Sequence, residues 1–237
     1  VKIKYIIISA LFLIAAQLSG QVRQNEFAGV QQIPYQYVVG ELYKGDLQSD
    51  TYLNPDWIEG DLLLESGGKI GNVFLRYNGL TDELFWREPI LNNVIKVDKE
   101  SVKGFLFNEF RGDTTVIFRR MKIKKDFAGD SALCFLQEID FNKIKLFIYH
   151  SKFFLRKENY SVNGKISMRD IYIEQPVYFI RSHSGLSVFK KLNVHSLCKA
   201  YPDKSDVIRK YIRNNATGRL NTHNEIINIL HYLDYYF

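Results

Sequence analysis

The stretch Asn54–Arg87 reads NPDWIEGDLLLESGGKIGNVFLRYNGLTDELFWR. Two short apolar runs, Trp57–Leu64 and Val73–Tyr77, flank Gly67-Gly68, and a third, Glu83–Arg87, follows Asn78-Gly79. Short runs punctuated by turn residues are the pattern of a β-meander. Val73, Leu75 and Tyr77 alternate with Phe74 and Arg76, which divides the side chains between two faces of a strand. Both glycine turns are expected to use the positive φ that glycine tolerates.

Working outward, the same pattern continues. Tyr35–Leu42 is a first strand or an extended arm. Ile95–Val97 and Val102–Phe110 follow, then the Arg111–Asp113 turn and a strong strand over Thr114–Ile123. Ala132–Ile139 and Lys143–Tyr149 are two more strands, and Lys152–Lys157 is a further apolar stretch before the chain loosens at Glu158–Ser167. Tyr172–Arg181 and Leu186–Leu192 form a last hairpin, with Pro176 marking an edge or bulged strand. Beyond Leu192 the period changes. Val207, Ile208, Tyr211 and Ile212 recur at helical spacing, as do Ile226, Ile229, Leu230 and Leu233. Ser196 is the expected cap of the first short helix.

The fold class expected is therefore α+β: a mostly antiparallel, strongly curved sheet or open barrel with a small C-terminal helical segment. The parts are a signal peptide at 1–20, a partly extended N-terminal arm at 21–53, a β-rich core at 54–192 and helices packed on it at 193–237. A membrane-spanning barrel is disfavoured because the runs are short and often apolar on both parities.

The first twenty residues open on Lys2 and Lys4, run apolar from Ile6 to Leu18 and end in Ser19-Gly20. That layout predicts an export signal that is removed. No cysteine lies near the cleavage point, so no lipid is expected there. The expected location is periplasmic or outer-membrane-associated. The 237 residues carry a formal charge of +6, and losing the two lysines leaves +4. The basic residues are scattered, which excludes the dense basic face of a nucleic-acid binder. A weak attraction to anionic membrane surfaces is compatible with this balance.

Cys134 and Cys198 are the two cysteines. An oxidising compartment permits a bond between them, and the apolar run around Cys134 suits a small buried hydrophobe equally well. The histidines 150, 183, 195, 223 and 231 show no metal-binding spacing. There is no GxSxG, no phosphate loop at Gly67-Gly68-Lys69, and no pairing of acids with any specificity. Arg111-Gly112-Asp113 is read as an ordinary hairpin turn. No catalytic residue, metal or cofactor is expected. The aromatic residues Trp57, Tyr77 and Trp86 are the candidate ligand-binding set, since exposed aromatics with polar rims grip sugars or proteins.

The block quoted above, with KKLNVHSLCKAYPDKSDVIRKYIRNN downstream, resembles a family of small exported proteins of Bacteroidetes. The resemblance rests on Trp57, Gly60, Leu62–Leu64, Leu75–Asn78, Asp82–Leu84 and Tyr201–Lys204, and covers Tyr52 to Phe237. Gly79 departs from it, standing where a bulkier residue is usual. It implies export and domain extent and no chemistry. The expected function is a non-enzymatic cell-envelope protein that binds another protein or a surface component. The alternative is a carbohydrate- or lipid-binding accessory module, with or without weak hydrolase activity.

Overall fold

The computed structural model describes residues 39–45, 47, 50–88, 92–124, 131–163, 165–183, 185–215 and 223–236. All of them belong to one compact unit, Val39–Phe237. The signal segment 1–20 and the N-terminal arm up to residue 38 lie outside the described residues.

Among the described residues, eleven strands form a single sheet in the order β1-β5-β4-β3-β2-β6-β7-β8-β9-β10-β11. They are β1 (Gly40–Leu42), β2 (Ile58–Leu64), β3 (Lys69–Asn78), β4 (Glu83–Arg87), β5 (Val94–Val97), β6 (Val102–Phe110), β7 (Asp113–Lys124), β8 (Ser131–Asp140), β9 (Lys145–Val162), β10 (Lys165–Ser182) and β11 (Gly185–Phe189). Every pairing is antiparallel. The protein is mostly antiparallel β with a few short C-terminal helices. The order has two ends, β1 and β11, so the sheet is not closed and the expectation of a barrel is not supported.

Register places the core. Phe105 pairs with Phe118, Leu62 with Phe105, and Leu75 with Trp86, so these side chains share one face. Phe105, Phe107, Phe118 and Phe135 are all buried there, with the Phe105 and Phe118 rings stacked at 4.6 Å. Leu146, Ile148 and Ile180 continue the same face under the helices. On the opposite face Cys134, Leu136, Phe147 and Phe179 form a smaller cluster. The double burial of β8 and β9 explains why their runs read as apolar on both parities.

The β3–β4 turn is a structural tie. Fully buried Asp82 accepts from Tyr77 Oη at 2.5 Å, Lys99 Nζ at 2.6 Å and the backbone N of Phe135 at 3.2 Å. Burial, then the Asp82 carboxylate, pushes the Tyr77 phenol well above its ordinary range. Gly79 O accepts from Lys152 N at 2.9 Å, although four strands lie between β3 and β9 in the sheet. The positive φ in this turn belongs to Asp82 (59°), and not to Gly79 as expected. Gly79 is needed for space: a Cβ there would stand 2.8 Å from Leu53 and 3.3 Å from His150 O.

Among the described residues three α-helices follow the sheet: α1 (Val194–Ala200), α2 (Ser205–Asn214) and α3 (His223–Asp234). Asn193, not Ser196, caps α1, and Ser196 completes the reciprocal capping box as its third residue. Ile226, Ile229, Leu230 and Leu233 are the buried stripe of α3, and Ile208 is buried on α2. At the far end of α3 the Asp234 carboxylate accepts from three successive backbone N–H groups, those of Asn142, Lys143 and Ile144, at 2.6–3.0 Å. That contact fixes the helices to the β8–β9 turn.

Candidate functional site

The aromatic set expected to grip a ligand does not form a groove floor. Tyr77 and Trp86 are 1% and 2% exposed and belong to the core. Their register explains it: Trp86 pairs with both Leu75 and Ile95, and Tyr77 with Leu84, all on the buried face. Trp57 precedes β2 and is half-buried, with the Arg87 guanidinium 5.1 Å from its ring centroid. Cys134 and Cys198 are not joined in a disulfide and lie buried in different apolar clusters. For Cys134 this is the small-hydrophobe reading. Among the described residues no group of three or more His, Cys, Asp or Glu could hold a metal ion, and no helix is long and apolar enough to cross a membrane.

The distinctive element is the hairpin of β9 and β10. The two strands pair from Arg181↔Lys145 out to Lys165↔Val162. β8 accompanies β9 only as far as Ile148, and β11 accompanies β10 only back to Tyr178. Beyond Lys152, among the described residues, the two strands pair only with each other. Phe153–Val162 spans about 33 Å at about 3.3 Å per residue. Pro176 lies where, among the described residues, no strand pairs with the outer side of β10, which satisfies the restriction on proline in sheets.

This hairpin exposes what a soluble strand usually hides. Ile166 is 78% exposed and Met168 65%, and Phe154, Leu155 and Tyr160 are exposed as well. A one-residue shift at Ile171/Tyr172 leaves Leu155 outside the pairing. Arg169 and Arg156 both pair with Glu158, at 3.0 and 3.4 Å, and Lys157 lies 3.9 Å from Asp170. Between Lys152 and Ile173 the sequence carries five basic and two acidic residues, a net +3.

At the root of the hairpin, a polar seam interrupts the apolar face. His150 Nδ1 meets Glu174 Oε1 at 2.6 Å and His150 Nε2 meets Gln137 Oε1 at 2.7 Å. Arg111 closes the chain of contacts, donating to both Glu174 oxygens (2.6 and 3.3 Å) and to Leu53 O (3.1 Å). Arg111 and Gly112 form the two-residue β6–β7 turn with φ of 55° and 89°. Such turns favour Asn, Asp or Gly first, so the arginine holds a costly conformation while bound to Glu174. Burial would raise the Glu174 carboxyl, but the bonds from His150 and Arg111 outweigh it and hold the group at about 2. The Arg-Gly-Asp triplet is thus a hairpin turn whose arginine is engaged within the protein.

These groups line an open cavity of about 410 Å³, together with Phe110, Asp113, Ile148, Pro176, Tyr178 and Asn224. Sequence reasoning missed it, because Arg111 and Glu174 stand 63 residues apart. Comparison with protein-family models, curated proteins and solved structures finds no match.

Proposed function

We propose that this is a non-enzymatic cell-envelope protein that binds another protein through the β9–β10 hairpin. The carrying observation is the exposure of Ile166 and Met168 on a two-stranded extension. An isolated two-stranded hairpin is marginal in water, and exposed apolar side chains at its tip favour a covered state. Its outer edges leave backbone N–H and C=O groups free for an added strand. The same edges disfavour burial in lipid, where no unsatisfied backbone group is tolerated. The net +3 favours a partner whose apolar contact surface is rimmed by carboxylates. Export belongs to the same proposal and rests on the signal-like start of the chain. So does strong curvature of the sheet, supported by the contact between the β3–β4 turn and β9.

The test is photo-crosslinking in the native envelope, with the reactive amino acid at position 166 and, as control, at exposed position 109. The expected result is one discrete polypeptide adduct from position 166 alone. Excess unmodified protein competes it away, and excess Ile166→Asp/Met168→Asp protein does not. Equal adducts from both positions, lipid adducts only, or none from position 166 would overturn the proposal.

A further inference from the structure

The cavity at the hairpin root contains groups that the seam leaves unused. Gln137 is 4% exposed, and one end of its amide is bonded to His150. Among the described residues nothing meets the other end, and Gln137 lines the cavity. This holds whichever way the amide is turned: one end serves the imidazole, and the other faces the space. That second end opens into the cavity, where it is free to pair with water or with a bound polar group. Asp113 and Asn224 add an exposed carboxylate and a second amide, and neither side chain is bonded to a described residue. Tyr178 adds a phenol. Burial, then the Glu174 charge, raises its pKa, so the phenol keeps its proton and donates.

The charges decide the class of ligand. Arg111 is matched by Glu174, and Asp113 adds a negative charge, so with His150 neutral or protonated the described residues of the wall sum to −1 or 0. An anion gains nothing there, and a cation meets the Arg111 guanidinium. What remains is a set of short polar arms offering both donors and acceptors, beside an apolar wall of Phe110, Ile148, Pro176 and Tyr178. A neutral polyhydroxyl ring fits both halves, with its hydroxyls on the amides and carboxylate and its C–H face on the apolar wall. The volume lies within the range typical of small-ligand sites.

We infer that the cavity between Gln137, Asp113, Asn224 and Tyr178 binds a neutral saccharide, as a single residue or a short chain. This site is separate from the hairpin tip, and the inference stands whether or not the tip binds a protein.

The experiment is ligand-observed NMR followed by calorimetry on the purified protein. The panel is glucose, galactose, mannose, N-acetylglucosamine and their common disaccharides, with glucuronate and glucosamine as charged controls. At least one neutral sugar is expected to bind. Asn224→Ala and Asp113→Ala, both at exposed positions outside the core, should each weaken it about tenfold. Ile166→Asp should leave that affinity unchanged, which separates this site from the protein-binding tip. The inference is overturned if no neutral sugar binds, if both alanine variants bind as tightly as the parent, or if a charged control binds in preference.

Discussion

One strand, β9, passes through two environments. Over Leu146–His150 every residue is buried: Leu146 and Ile148 lie beneath the helices, Phe147 and Tyr149 on the opposite face. From Phe153 to Leu155 three large apolar residues in succession are exposed. The composition barely changes across that boundary. What changes is the neighbours, since β8 and β11 stop and β10 alone continues. Apolar side chains therefore stabilise the sheet body by burial, while on the hairpin they stay exposed. The His150–Glu174–Arg111 seam stands at the change-over.

This contrast can be broken at several points. The largest effect is expected in the body: Phe118→Ala should cost about 4 kcal/mol of unfolding free energy by leaving a cavity among Phe105, Phe107 and Tyr77. Urea denaturation measures it, and the exposed counterpart Phe154→Ala should cost under about 1 kcal/mol. Next, Asp82→Ala should cost about 3 kcal/mol, because Tyr77 Oη and Lys99 Nζ lose their shared acceptor. For a domain of this size the melting temperature falls by about 6–12 °C.

At the seam the test is pH. Glu174 titrates at about 2 when folded, against an ordinary value of 4.5. A depressed folded pKa stabilises fully above the unfolded value, and that contribution is lost as pH falls from about 4.5 towards about 2. In Glu174→Gln this acid-sensitive component should be missing. The difference in urea midpoint between parent and variant should therefore shrink as pH falls through that window, and a constant difference would contradict the assignment. The smallest effect is expected at the tip, where Ile166→Asp should change stability by under about 0.5 kcal/mol while weakening the unmodified protein's competition for the crosslink made from position 166.

The body was legible in the sequence because burial writes a period into it. Val73, Leu75 and Tyr77 face inward on β3 as their alternation required, and the Arg111–Asp113 turn joins β6 to β7. The hairpin was legible only at its ends. Glu158–Ser167 read as a loosening because an uncovered strand has no buried face to impose alternation, and its charged residues look like those of a loop. In fact Asn163, with φ of 52°, sits in the turn between two 18-residue strands. The aromatic ligand set failed for the converse reason. Residue type marked Tyr77 and Trp86 as gripping surfaces, whereas pairing puts them inside. The seam had no local signal at all, since Arg111, Gln137, His150 and Glu174 come from four strands or turns and meet only through the sheet order.

The most direct test of the contrast is native-state hydrogen exchange on the isolated protein. Amides of Val102–Phe110 and Val116–Ile123 should exchange only through global unfolding, and those of Phe153–Val162 and Ile166–Ile173 through low-energy local opening or with no protection. Equal protection of the hairpin and the body in the isolated chain would contradict the account, because it would mean that the hairpin is already covered and has nothing left to offer a partner.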